Sequence, residues 1–400
     1  MTARNLRAVA AAFLLGTATI GAGAILMSAP AYAAVRPEVG NPLNAALAAA
    51  KAKDFKAAMQ EVEKASAVTG RTPEENALIT QVKTYVGSVS GDISLGGAAA
   101  AKNKLGQDYA AKNYAGVIAD GDALQKAGAL DAATSTYVTQ AYYLSGNKAG
   151  CIKYVKSLGA AVEEVALQTL MKCAFDTNDD ATQKEALESL IAKTGKAEYW
   201  TNILKIAGNA KSLTDPQSLQ IARLQFLTGT MAGKDDYVKM AELDLQLGFP
   251  AEANTVLDKG TAAGLTTDDR SKKLAAQAKQ QAAALQGAMA ANLAAAQKDP
   301  NGDALVKVAL QQTTGGAPKD GVTTAKAAVA KNLKDKDSGA IALGYSQIAA
   351  GQNADAVKSL STEKGDGNGP MIAHLYGLYA AHPTGAASAA AAPAAASKKK

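Results

Sequence analysis

The residues able to do chemistry are few and widely spaced. The two histidines, His374 and His382, lie near the end of the chain, and its only cysteines are Cys151 and Cys173. Neither pair has the spacing of a metal site, and the sequence contains no HExxH, GxSxG or Walker-type loop. Gly96-Gly97 and Gly315-Gly316 follow no buried strand, so they are loop glycines rather than phosphate cradles. Asp176, Asp179 and Asp180 form an acidic group that calcium would accept, but the glycine and terminal glutamate of a calcium loop are missing, which favours a helix cap. No nucleophile sits beside a base, so the chain is expected to be non-catalytic, with no cofactor and no bound metal.

Two groups of side chains remain as candidates. Cys151 and Cys173 fall on the apolar faces of consecutive helical segments, where they either form a disulfide or pack as two small buried side chains. Tyr142, Tyr143, Tyr199, Trp200 and Tyr237 either line a groove or fill a core. The spacing places Tyr142 and Tyr237 in the core and leaves Tyr143 and Trp200 as the candidate partner contacts.

The elements that must hold these residues are helical. Alanine dominates, leucine is the main larger apolar residue, and β-branched residues form no long alternating runs. With five Phe and one Trp, the chain suits closely packed Ala-rich helices better than a wide globular core. The stretch Asp236 to Gly264 shows the unit: Tyr237, Met240, Ala241, Leu243 and Leu247 precede Gly248, and Ala253, Val256 and Leu257 follow Pro250. Glycine closes one helix and proline opens the next, which makes a hairpin. Similar turns are expected at Lys53-Asp54, Asn113, Gly146-Asn147 and Gly351, and the segment Met371 to Ala381 is expected to cap the stack.

The chain begins like an exported protein. Arg4 and Arg7 precede an apolar run from Ala8 to Met27, and Ala31-Tyr32-Ala33 offers small residues for cleavage after Ala33. The division read from the sequence is 1–33 signal peptide, 34–42 flexible lead-in, 43–195 and 196–383 two sets of hairpins, and 384–400 a disordered Ala/Pro/Lys tail. No integral membrane segment is expected once the signal is removed. Of 42 basic residues, two lie in the signal and three at the end, which leaves 37 against 36 acidic ones. That balance, with few aromatics, argues against nucleic acid as a partner.

With Gly248 at the turn, Tyr237, Met240, Ala241, Ala253, Leu257 and Gly260 match the spacing of the tetratricopeptide repeat (TPR). Leu343, Gly344, Ala356 and Leu360 around Gly351 do the same, as do Tyr142, Gly146, Cys151 and Val155. Asp244 and Gln347 depart from it, standing where the motif usually has Tyr. The run from Tyr199-Trp200 through RLQFLTGTM to the Asp236 hairpin resembles a group of exported proteobacterial TPR proteins. The resemblance implies an all-α, right-handed superhelical solenoid of degenerate hairpins in the periplasm. Its implied function is that of a protein-interaction scaffold, with cell-envelope assembly as one setting; a soluble binding module for a peptide or cell-wall fragment is the alternative. No activity comes with it.

Overall fold

The computed structural model describes residues 35–90, 98–159, 162–363, 365 and 367–384. The segment expected to be a signal peptide, the glycine-rich stretch 91–97 and the lysine tail therefore lie outside the described residues. Among those described, the regular structure is nineteen α-helices, with a single isolated bridge between Asn301 and Asn332. None of these helices is long and apolar enough to cross a membrane. Contacts divide the chain into two compact units between Thr177 and Asn178, one helix earlier than the division at 195 that composition suggests.

The first unit holds α1 (Pro37–Lys51), α2 (Phe55–Ala67), α3 (Pro73–Ser90), α4 (Ala98–Ala110), α5 (Tyr114–Lys126), α6 (Ala132–Leu144), α7 (Lys148–Ser157) and α8 (Glu164–Asp176). Each helix packs on the next, and α1 on α3, α4 on α6 and α6 on α8 also touch. One turn recurs between helices. Lys53, Lys112 and Gly146 take positive φ, and the following Asp54, Asn113 and Asn147 accept a hydrogen bond from the backbone N–H three residues on. The N-cap side chain satisfies a helix-end donor that would otherwise face only water.

Of the expected flexible lead-in at 34–42, residues 37–42 are instead helical, which moves the start of the first helix to Pro37. Pro37 occupies the first helical position, where a missing N–H costs nothing, and Val39, Gly40 and Leu43 are buried. Arg36 anchors the start: its Nε and Nη2 donate to Glu75 Oε1 and Oε2 at 3.0 and 2.8 Å. Glu75 also completes a capping box with Thr72. The Arg36 guanidinium and the Thr72 amide hold the Glu75 carboxyl at about 2. The anchor lies 39 residues away in sequence, so no local pattern announces it.

The second unit runs through α9 (Asp180–Thr194), α10 (Ala197–Gly208), α11 (Asp215–Thr228), α12 (Lys234–Leu247), α13 (Pro250–Ala262), α14 (Asp269–Lys298), α15 (Asp303–Thr314), α16 (Pro318–Val329), α17 (Lys336–Ala349), α18 (Asn353–Leu360) and α19 (Asn368–Ala381). The α12–α13 hairpin turns at Gly248, whose φ of 86° is open to glycine without strain. Ala241 and Ala253 meet Leu257 and Ala278 in one small cluster, while Tyr237, Met240 and Val256 join the larger core. At the α17–α18 hairpin, a Cβ on Gly344 would stand 2.5 Å from the Leu360 side chain, so glycine permits that approach.

The last helix does more than cap the final hairpin. From α18 and α17 it returns to α11 and α9, closing the unit on its own beginning. Ile372, Leu375, Tyr376 and Tyr379 are buried, and the Tyr376 hydroxyl lies 3.1 Å from the Gln220 carbonyl and 2.9 Å from its side-chain oxygen. Asn368 donates to the Lys211 carbonyl at 3.0 Å.

Candidate functional site

Three helices of the first unit end alike. The next-to-last residues of α4, α6 and α8 are Tyr109, Tyr143 and Phe175, so aromatic rings recur at the same end of helices that pack in series. Tyr109 is occupied internally: it lies edge-on to Tyr114 at 6.2 Å, tilts against Tyr137 at 4.8 Å, and donates to Gln140 Oε1 at 2.7 Å. Tyr143 is half-buried, with the Lys148 Nζ 3.1 Å from its ring centroid. Phe175 is 68% exposed and Leu144, beside Tyr143, 50%. An aromatic side chain left this open forgoes burial that would stabilise the chain by roughly 1.5–3 kcal/mol.

Lys148 ties these positions together. It donates to the Tyr143 carbonyl at 2.9 Å and pairs with Asp176 at 3.2 Å, so one ammonium spans the ends of α6 and α8 from the first residue of α7. A cation over an aromatic face is attracted by the ring quadrupole and fixes the ring's orientation. Cys151 of α7 and Cys173 of α8 are joined by a disulfide, with Cα atoms 6.5 Å apart and both side chains buried. Of the pairing and the two-small-side-chains alternatives, the structure adopts the pairing. Tyr143 and Leu144 thus end α6 and Phe175 stands at the end of α8, two packed helices whose ends the Lys148–Asp176 ion pair connects.

Trp200 requires a correction. It is fully buried in the second unit, where its ring meets Tyr379 of α19 edge-on at 6.0 Å, so its neighbour is the chain's own last helix and not an external partner. The spacing within α10 could not reveal this, because the covering residue lies far along the sequence. Tyr199, Tyr237 and Tyr154 are likewise interior, and Tyr142 stacks on Tyr154 at 5.4 Å.

A polar cluster occupies the same interior. Arg223 of α11 is buried, and its Nε and Nη2 donate to Glu252 of α13 at 2.9 and 2.5 Å. Its guanidinium lies 4.7 Å from the Phe249 ring and 5.3 Å from the Tyr345 ring. Tyr345 donates to Glu252 Oε1 at 3.3 Å and sits edge-on to Tyr376. Burial works against the Arg223 charge, but Glu252 outweighs it and keeps the guanidinium protonated. Asp244 of α12, fully buried, has its carboxyl pushed up to about 10 by burial and by the Glu252 charge, so it is a neutral acid at pH 7. Neither of its oxygens meets a donor, a situation that a carboxylic proton relieves by donating. Asp244 and Gln347, the two departures from the repeat pattern, are both buried polar residues.

The remaining candidates separate. Asp179 caps α9 through the Thr182 N–H, and Asp176 pairs with Lys148. Among the described residues, no group of three or more His, Cys, Asp or Glu is placed to hold a metal ion. His374 is partly exposed, with Nε2 3.0 Å from Glu188 Oε1. This pair borders an open cleft of about 560 Å³ that Lys184, Glu185 and Met371 also line. Phe175, Leu144 and Lys148 are not singled out by the sequence; for Phe175 the signal is an aromatic residue at the next-to-last position of α4, α6 and α8, visible only once those helix ends are aligned. No protein-family model matches the chain, and no curated protein matches it either.

Proposed function

We propose that the chain is a non-catalytic, exported protein-interaction scaffold that docks a protein or peptide partner on the face of Tyr143, Leu144 and Phe175, in the setting of cell-envelope assembly. The observation that carries this is Phe175, a phenylalanine 68% exposed at the end of a well-packed helix. Solvent-facing aromatics next to a pre-oriented ring are the usual anchors of protein interfaces. The turns at Asn113, Asn147 and Asp179, spaced 34 and 32 residues apart, support a stack of degenerate TPR hairpins. A disulfide supports an oxidising compartment, in keeping with periplasmic export.

Phe175→Ser tests the proposal. The variant should keep the thermal stability of the parent to within about 0.5 kcal/mol, as surface substitutions do, and should lose a protein that the parent retains from envelope extract. Equal retention by both would sink the proposal. The alternative, a soluble binding module for a peptide or cell-wall fragment, is favoured by the cleft beside His374 and Glu188. A thermal shift with soluble cell-wall fragments that His374→Ala abolishes, with no retained protein, would select it.

A further inference from the structure

The cleft of the second unit and the residues that follow Thr384 carry opposite charge. Glu185 and Glu188 of α9 and Glu363 before α19 line the cleft, against Lys184 and His374. Residues 385–400 lie outside the described residues; in sequence they are small residues and one proline, followed by Lys398, Lys399 and Lys400. We propose that the cleft is the docking site of this chain's own lysine tail, with the ammonium groups of Lys398 to Lys400 seated among the three glutamates. The docking involves the second unit alone and does not depend on the face at Phe175.

The charge balance of the cleft favours a cation. Glu188 Oε1 lies 3.0 Å from His374 Nε2 and 3.8 Å from the Nζ of Lys184, whose side chain is 40% exposed. An ion pair that long and that solvated neutralises little. At Glu363, a hydrogen bond shared with Asp337 pushes the carboxyl above its ordinary value, and burial and the charge of Asp335 add to the effect. None of the described groups acting on Glu363 is a cation. Carboxyls crowded in this way repel one another, and an ammonium brought beside them relieves the repulsion. Met371 adds an apolar wall along which a lysine stem can lie while its charge stays among the carboxylates.

The chain is long enough to reach. Past α19 it runs beside the end of α9, where Thr384 Cγ2 lies 3.5 Å from the position that a Cβ on Gly195 would take. Glu188 stands seven residues before Gly195 on α9, about 10 Å back along the helix. Lys398 comes fourteen residues after Thr384, a length that extends to roughly 45 Å. A tethered segment that spans its site is present at an effective concentration on the order of millimolar, so contacts of that affinity seat it half the time, and an outside cation must compete with it.

Carbodiimide coupling of the full chain tests this, because the reagent joins a lysine amine to a carboxylate in contact with it, forming an amide and taking up the water that is lost. In a mixture of isotopically light and heavy protein, mass spectrometry should find Lys398, Lys399 or Lys400 joined to Glu185, Glu188 or Glu363 of the same chain. Salt at about 1 M, where the Debye length is about 3 Å, should lower that yield about tenfold. Tail lysines joined equally to exposed carboxylates elsewhere, such as Asp258 and Asp320, overturn the proposal. So do tail lysines joined mainly between light and heavy chains, which would assign the cleft to a second copy, or joined to nothing. The Lys398→Gln/Lys399→Gln/Lys400→Gln variant gives an independent reading. His374 is one of two histidines, so its ring protons are readily followed by NMR, and they should shift when the tail charges are removed. Unchanged His374 signals overturn the proposal as well.

Discussion

Arg223 carries its charge where no water can share it, and its neighbours show what that requires. Glu252 accepts from the Nε and Nη2 edge of the guanidinium, Nη1 meets no acceptor, and Phe249 and Tyr345 pack near it. Arg223→Ala should destabilise the second unit by about 3–5 kcal/mol in denaturant titration, because it strands the Glu252 charge. Replacing both partners, Arg223→Met with Glu252→Leu, should cost far less. Equal losses would mean that the pair itself, rather than the stranded charge, dominates. Asp244 gives a second test. Its carboxyl lies above its ordinary value of 3.8, so the folded chain holds a proton that the unfolded chain releases between about 4 and 10. Stability is therefore highest below about 4 on this account and falls as pH rises towards about 10. Asp244→Asn keeps a donor and removes the titration, so melts across this range should be flatter and the neutral-pH stability higher by about 1–3 kcal/mol. A decline as steep as that of the parent would exclude Asp244 as its cause. Both sites were half legible in sequence: Asp244 and Gln347 broke the repeat pattern visibly. That they sit buried, with Asp244 beside an arginine twenty-one residues upstream, depends on how three helices pack.

At the scale of the helix, the signals that worked were local ones. Gly248 before Pro250, and Asn147 after Gly146, fix turns through the conformations that glycine, proline and a capping side chain prefer, and the structure turns at each. The signals that failed depend on distant partners. Pro37 and Pro42 suggest a flexible lead-in, yet Glu75 anchors Arg36 and the helix follows. The helix α14 runs on to Lys298 because Leu293 and Ala296 pack on the core of the second unit, which no local residue pattern specifies. The return of α19 to α11 had no local signature at all, since its contacts span some 156 residues. Tyr376→Phe isolates the polar part of that return. It keeps the ring against Tyr345 and removes the hydroxyl, so it should cost about 1–2 kcal/mol in thermal unfolding. No measurable change would show that apolar packing alone holds the helix.

At the scale of the whole molecule, the all-helical class was readable from composition, whereas the closure of the second unit was not. Alanine-rich periodicity specifies helices, but which ones meet across 150 residues is decided by the burial of faces such as Ile372, Leu375 and Tyr379. Ending the chain after Glu363 removes α19 and uncovers the side of α11 and α9 on which it lies. Such a chain should lose cooperative unfolding of the second unit, and hydrogen exchange of α11 should rise well above that of α4 to α6. Unchanged protection in α11 would mean that the last helix is an ornament to a unit stable without it. The burial of Trp200 against Tyr379 also gives the chain an internal gauge. As the only tryptophan among 400 residues, it makes the indole emission of the whole protein a readout of one docking event, blue-shifted while α19 is seated and red-shifted when it leaves.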